Sequence, residues 1–212
     1  MALAGRASYL AEMAAAQNLA SLGKLVARHH GWAAAKAFKT YQMGDADRAK
    51  LTSSALEILR VFPNIPGACA LMSAALAVRL EKVLDGPVHV VAGTLTVENV
   101  PVFGKRSNPP MDAFSEGKLD RDGHVWLMVG PYVADISIFR TAYSSFGPAA
   151  LSRHIDLVFG PNQALYVDEW KRTRQRGLGY EPHYVLSEPE VTGLMHGAFE
   201  KIRAHHRSSA TG

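Results

Sequence analysis

The order of the hydrophobic patterns leaves this chain few folds to choose from. Through the first sixty residues, Leu3, Leu10, Met13, Leu19, Leu22, Leu25 and Val26 recur near helical spacing with alanine between them. Beyond Leu84 the texture turns β-rich: Val88 to Val97, His124 to Val129 and Tyr132 to Ile138 read as strands. Only Gly130-Pro131 separates the last two, so they form an antiparallel hairpin. Helices first, then consecutive strands with a hairpin among them, then a closing helix, define an α+β fold and argue against a parallel α/β sheet.

Punctuation sets the boundaries. Gly31 interrupts the first helix, and a short helical piece from Trp32 to Tyr41 follows. Asp45 or Asp47 caps a further helix reaching Arg60. The loop Phe62-Pro63-Asn64-Ile65-Pro66-Gly67 stops it, because proline and glycine disfavour helix continuation. Ala68 to Leu84 is helical again and ends at Asp85-Gly86-Pro87. Asn99 to Gly123, with its prolines, glycines and mixed charges, reads as an irregular insertion. Phe139 to Phe159 fits either helix or strand, Tyr166 to Arg176 reads as helix, Gly179 to Leu186 as strand, and Glu188 to His206 as the closing helix. The expectation is one domain over residues 1–212, with a helical part at 1–60, a core at 64–138, an insertion at 99–123 and a closing helix at 188–206. A chain of this length can bury a full core without disulfides or metals.

Charge and cysteine content narrow the setting. A single cysteine excludes an intramolecular disulfide and fits a reducing compartment. The alanine-rich start is interrupted by Glu12, Gln17 and Asn18, unlike a signal peptide, and no apolar run approaches the length of a membrane span. The expected location is therefore cytoplasmic, with no membrane partner. The formal charge of +4 is concentrated at Lys171 to Arg176 and Lys201 to Arg207, which read as solvated helix faces; nucleic acid is not the expected partner.

The lone cysteine stands where it has a chemical use. Cys69 follows Pro66-Gly67-Ala68 and opens a helix, whose unpaired N–H groups and partial positive charge favour an anion over a neutral thiol. His124 opens a strand, and Asp135 lies in the next one. If the hairpin closes tightly at Gly130-Pro131, pairing Val129 with Tyr132, then Trp126 falls opposite Asp135 and His124 opposite Ser137. His124 and Asp135 are then diagonal neighbours on one face, about 7 Å apart at the backbone and within reach of an imidazole–carboxylate bond. A one-residue slip would put them on opposite faces. Asp135, between Ala134 and Ile136 in an apolar strand, needs a partner.

A helix-start cysteine, a strand opening with histidine and an aspartate on the adjacent strand give a chain order that resembles the papain- and transglutaminase-like cysteine proteinase superfamily. Gly67-Ala68-Cys69-Ala70-Leu71-Met72-Ser73-Ala74-Ala75-Leu76 is similar to its nucleophile helix. Gly123-His124-Val125-Trp126-Leu127-Met128-Val129 and Tyr132-Val133-Ala134-Asp135 are similar to its histidine and aspartate strands. The likeness covers about Asn64 to Ile138, roughly a third of the chain, and the remainder suggests a separate bacterial branch of that superfamily. The resemblance implies a cysteine-proteinase-like fold, with the nucleophile helix packed on an antiparallel sheet. It also implies the catalytic roles: Cys69 as nucleophile, His124 as base and then acid, Asp135 holding the imidazole. The backbone N–H of Cys69 is the first oxyanion donor, with Asn64 in place of the glutamine that papain-like enzymes use, and Trp126 is a further candidate for substrate binding.

The implied function is a thiol hydrolase or acyltransferase that forms a covalent thioester on an amide, ester or thioester substrate. The substrate would be a small molecule or a peptide. An inactive binding module that keeps the fold is the alternative. The remaining histidines lack metal-ligand spacing, and no GxSxG elbow or GxxxxGK[ST] loop is present, so neither a metal nor another cofactor is expected.

Overall fold

The computed structural model describes residues 2–104 and 123–210, and for 2–18 and 208–210 the helical backbone alone. The chain is a mixed α+β structure with an antiparallel sheet. Two long helices come first, α1 (Ala2–Thr40) and α2 (Asp45–Val61), then α3 (Cys69–Glu81). The break expected at Gly31 is a kink inside α1, where the residue takes φ 80° and ψ 168°, a combination open in practice to glycine alone. Gly44, and neither Asp45 nor Asp47, is the N-cap of α2, and no side chain caps it; both aspartates lie in the first turn and Arg60 in the last, each matching the helix dipole.

The sheet follows: β1 (Val88–Val97), β2 (Val100–Phe103), β3 (His124–Val129) and β4 (Tyr132–Asp135). Two short helices, α4 (Ile138–Ala142) and α5 (Ala149–Val158), occupy the stretch that sequence left ambiguous. Then come β5 (Tyr166–Glu169), α6 (Trp170–Thr173), a 3-10 turn at Arg174–Arg176, β6 (Leu178–Val185) and α7 (Glu188–Ala210). Strands run in the order β2-β1-β3-β4-β5, and β6 pairs with β1.

Two expectations are corrected. Tyr166–Glu169 is a strand, not the start of a helix, because it pairs along β4 with Asp135 opposite Tyr166 and Tyr132 opposite Glu169. The first residues of the expected insertion form β2, folded back on β1 through Glu98 and Asn99, both at positive φ, the turn geometry that suits two-residue hairpins. The rest of the 99–123 insertion, residues 105–122, lies outside the described residues.

Alternating strand residues build two cores, one on each face of the sheet. Val90, Val125, Leu127 and Ala134 face α2, α3 and α7. Val91, Trp126, Met128 and Val133 face the opposite way and pack with Leu22, Val26 and Phe38 of α1. α3 is apolar nearly all round, as a helix enclosed by neighbours must be. Its Leu71, Met72, Leu76 and Leu80 are each at most 1% exposed, and each such side chain stabilises the packing by about 1.5–3 kcal/mol. The Ser73 hydroxyl, fully buried, donates to the Val125 carbonyl at 3.1 Å and ties α3 to β3. No described helix is long and apolar enough to cross a membrane.

Candidate active site

The hairpin register decides which side chains meet. Val129 pairs with Tyr132, Met128 with Val133 and Leu127 with Ala134, and Gly130 at φ 55° begins the two-residue turn. Continued by one residue, this pairing sets Trp126 opposite Asp135, so His124 and Asp135 lie diagonally on one face. His124 Nε2 and Asp135 Oδ2 are 2.6 Å apart, with the histidine 2% exposed and the aspartate fully buried.

Asp135 engages Nε2 of the ring, and the Cys69 side chain lies close enough to the imidazole to raise its proton affinity. Gly67, at φ 70°, turns the chain out of the Asn64–Pro66 loop, and Cys69 is the first residue of α3. Met72 N–H is the first of the helix to reach a carbonyl within it, that of Ala68, so the N–H groups at the start of α3 have no intrahelical acceptor. Cys69 is half-buried, whereas His124 and Asp135 sit behind it in the protein. Cys69 is thus the most exposed of the three residues.

Electrostatics follow from this geometry. Burial alone would strip the proton from His124; the adjacent Asp135 carboxylate outweighs it and, with Cys69, pushes the imidazole up to about 10. Burial likewise opposes ionisation of Asp135, but the His124 imidazolium and several hydrogen bonds hold its carboxyl below the usual range. Those bonds take up both oxygens. Oδ1 accepts from Ser137 N–H at 2.9 Å, the Ser137 hydroxyl at 3.0 Å and Ile138 N–H at 3.0 Å. Oδ2 accepts from His124 and from the Tyr180 hydroxyl at 2.9 Å.

Aromatic rings enclose the imidazole. Phe103 at the end of β2 stacks on it with centroids 5.5 Å apart and planes 18° apart, and Trp126 lies at 6.1 Å on the same strand. Trp126 is itself fully buried, so it packs against His124 from within the core and does not face an open cleft; substrate binding by this side chain is corrected to a supporting one. Asn64 is exposed in the loop before α3 and has no hydrogen-bond partner among the described residues. Tyr180, Ser137 and Phe103 were not legible as site residues. Tyr180 comes from β6, which pairs with β1, and nothing in the sequence sets that register.

Among the described residues, no group of three or more histidine, cysteine or acidic side chains gathers as a metal site. A large groove of about 1390 Å³, lined in part by Leu22, Tyr41, Tyr132 and Trp170, does not include Cys69 or His124. Comparison with protein-family models, with curated proteins and with solved structures finds no match.

Proposed function

We propose that the chain is a thiol enzyme of the papain/transglutaminase-like kind, acting on an acyl group of an amide, ester or thioester. The observation that carries this reading is a single buried imidazole bonded to Asp135 Oδ2 at 2.6 Å, with its proton affinity raised in part by Cys69, the first residue of a helix. A nucleophile, a base and an orienting carboxylate in contact order are what acyl transfer through a side chain requires.

In this reading His124 already carries the Cys69 proton as an imidazolium, and the thiolate attacks the carbonyl carbon. The carbonyl π pair moves onto oxygen, where the Cys69 backbone N–H is the nearest candidate donor. Collapse expels the amine, alcohol or thiol, which leaves with the proton from His124, and a thioester remains on Cys69. Water or an acceptor amine then attacks the thioester, giving up a proton to His124 and releasing the thiolate, so the protein returns to its starting state. Asp135 keeps its proton-free form throughout and fixes the ring.

One observation favours a second reading, a binding module that keeps the fold without turnover. His124 is 2% exposed beneath Phe103, which restricts approach of a leaving group to the imidazole. One experiment separates the two. Wild type and Cys69→Ala are incubated with activated esters, peptides and thioesters, and intact mass is recorded. Alongside, the alkylation rate of Cys69 is compared between wild type and His124→Ala. An acyl adduct on wild type alone, removed by hydroxylamine, with alkylation slowed at least tenfold in His124→Ala, is the expected result. Alkylation that ignores His124 refutes the thiol-enzyme reading.

A further inference from the structure

We propose that Tyr180 is a positioning residue of this site, its hydroxyl holding the Asp135 carboxylate ionised and aimed at His124. The proposal rests on the thiol-enzyme reading above and adds a fourth member to it. Ser137 and Ile138 saturate Oδ1 from the same stretch of chain. Tyr180 instead bonds Oδ2, the oxygen that His124 uses, from a strand 45 residues away. Without it that oxygen would have His124 as its one donor, and the carboxylate could tilt off the imidazole axis.

The ring is held too firmly for this contact to be incidental. The Tyr180 carbonyl accepts from Trp170 Nε1 at 2.8 Å. Tyr166 stacks on the ring at 6.0 Å with planes 9° apart, and Trp126 meets it edge-on at 5.2 Å. Gly93 contributes as well. It pairs with His124 on β3 and with Pro182 on β6, and a Cβ there would lie 2.9 Å from the Trp126 ring. The missing side chain leaves room for the aromatic packing that delivers the hydroxyl to Asp135. Burial and the neighbouring carboxylate push the Tyr180 hydroxyl well above its ordinary range, so it stays a donor. The titratable groups facing Asp135 are His124 from β3, Tyr180 from β6 and Tyr166 from β5.

A carboxylate that loses one donor becomes easier to protonate, and His124 then loses its support at a higher pH. The test uses the full chain and 2,2′-dipyridyl disulfide, a probe that reports the sole cysteine down to acid pH. Rates are recorded against pH for wild type, His124→Ala, Tyr180→Phe and protein carrying 3-fluorotyrosine at position 180. In Tyr180→Phe the acid limb of the rate profile moves upward by about 1 pH unit. The fluorinated ring, a stronger donor of the same shape, moves it the other way, a response that simple space-filling would not give. A folded Tyr180→Phe with an unmoved acid limb overturns the proposal. If that variant does not fold, the fluorotyrosine protein decides, and an unmoved or upward-shifted limb overturns it. A profile dependent on His124 but indifferent to both Tyr180 changes removes this proposal alone; one indifferent to His124 removes the thiol-enzyme reading together with it.

Discussion

Asp135→Asn is the sharpest probe of the buried pair. The amide oxygen can still serve Ser137 and Ile138, which leaves the NH2 group facing His124 Nε2 and the Tyr180 hydroxyl. The imidazole must then accept at Nε2 and carry its proton toward Cys69, the wrong tautomer for a base. The Tyr180 hydroxyl loses its acceptor. Removing one partner of a buried ion pair destabilises by about 3–5 kcal/mol. The proton balance gives a similar size, since raising His124 from 6.5 to about 10 corresponds to roughly 5 kcal/mol; this is the same interaction counted another way. The sign is fixed by the two shifts. His124 is raised on folding, so its contribution is complete below about pH 6.5 and declines as pH rises toward about 10. Asp135 is lowered, so its contribution is present above about pH 4 and declines in more acid solution. Denaturant titrations of wild type and variant at pH 5.5, 7.5 and 9.5 should show the stability gap widest at pH 5.5 and narrowing upward. It does not close, because Ser137 and Tyr180 still serve the wild-type carboxylate. A gap below about 1 kcal/mol, or one flat across this range, would refute the reasoning.

Two further substitutions test how the site is framed. Gly93→Ala places a Cβ 2.0 Å from the Glu181 carbonyl oxygen, so β1 and β6 must separate; a loss of about 1–3 kcal/mol is expected by thermal denaturation, and an unchanged midpoint would contradict the close approach. Ser73→Ala removes the tether from α3 to the Val125 carbonyl and should cost about 1 kcal/mol in a denaturant titration, with no effect if the buried carbonyl finds another donor.

What the sequence made legible was local. The two residues between Val129 and Tyr132 leave little freedom in register, and a period-two pattern then assigns His124 and Asp135 to one face. Pro66-Gly67 announces the start of α3, and Gly31 the kink in α1. The missed parts depend on partners distant in the chain. Tyr166–Glu169 carries polar and charged residues that suit a helix surface equally well, and only β4 makes it a strand. Trp126 lies on the same alternate positions as His124, but its exposure depends on α1 and β6 closing over that face. The β1–β2 turn did have a signal, Asn99 after Val97-Glu98, obscured by the irregular residues that follow.

The bulge where β6 meets β1 also bears on how the molecule avoids its own kind. β6 pairs with β1 along one side only, and no described strand pairs with its other side. An open strand edge is a template for another chain's backbone. Here Pro182 removes one donor from the strand, Glu181 and exposed His183 flank it, and the register shift at Ala92/Gly93 bends the ladder. The irregularity beside Gly93 therefore makes edge-to-edge pairing with another chain unfavourable at the strand that carries Tyr180.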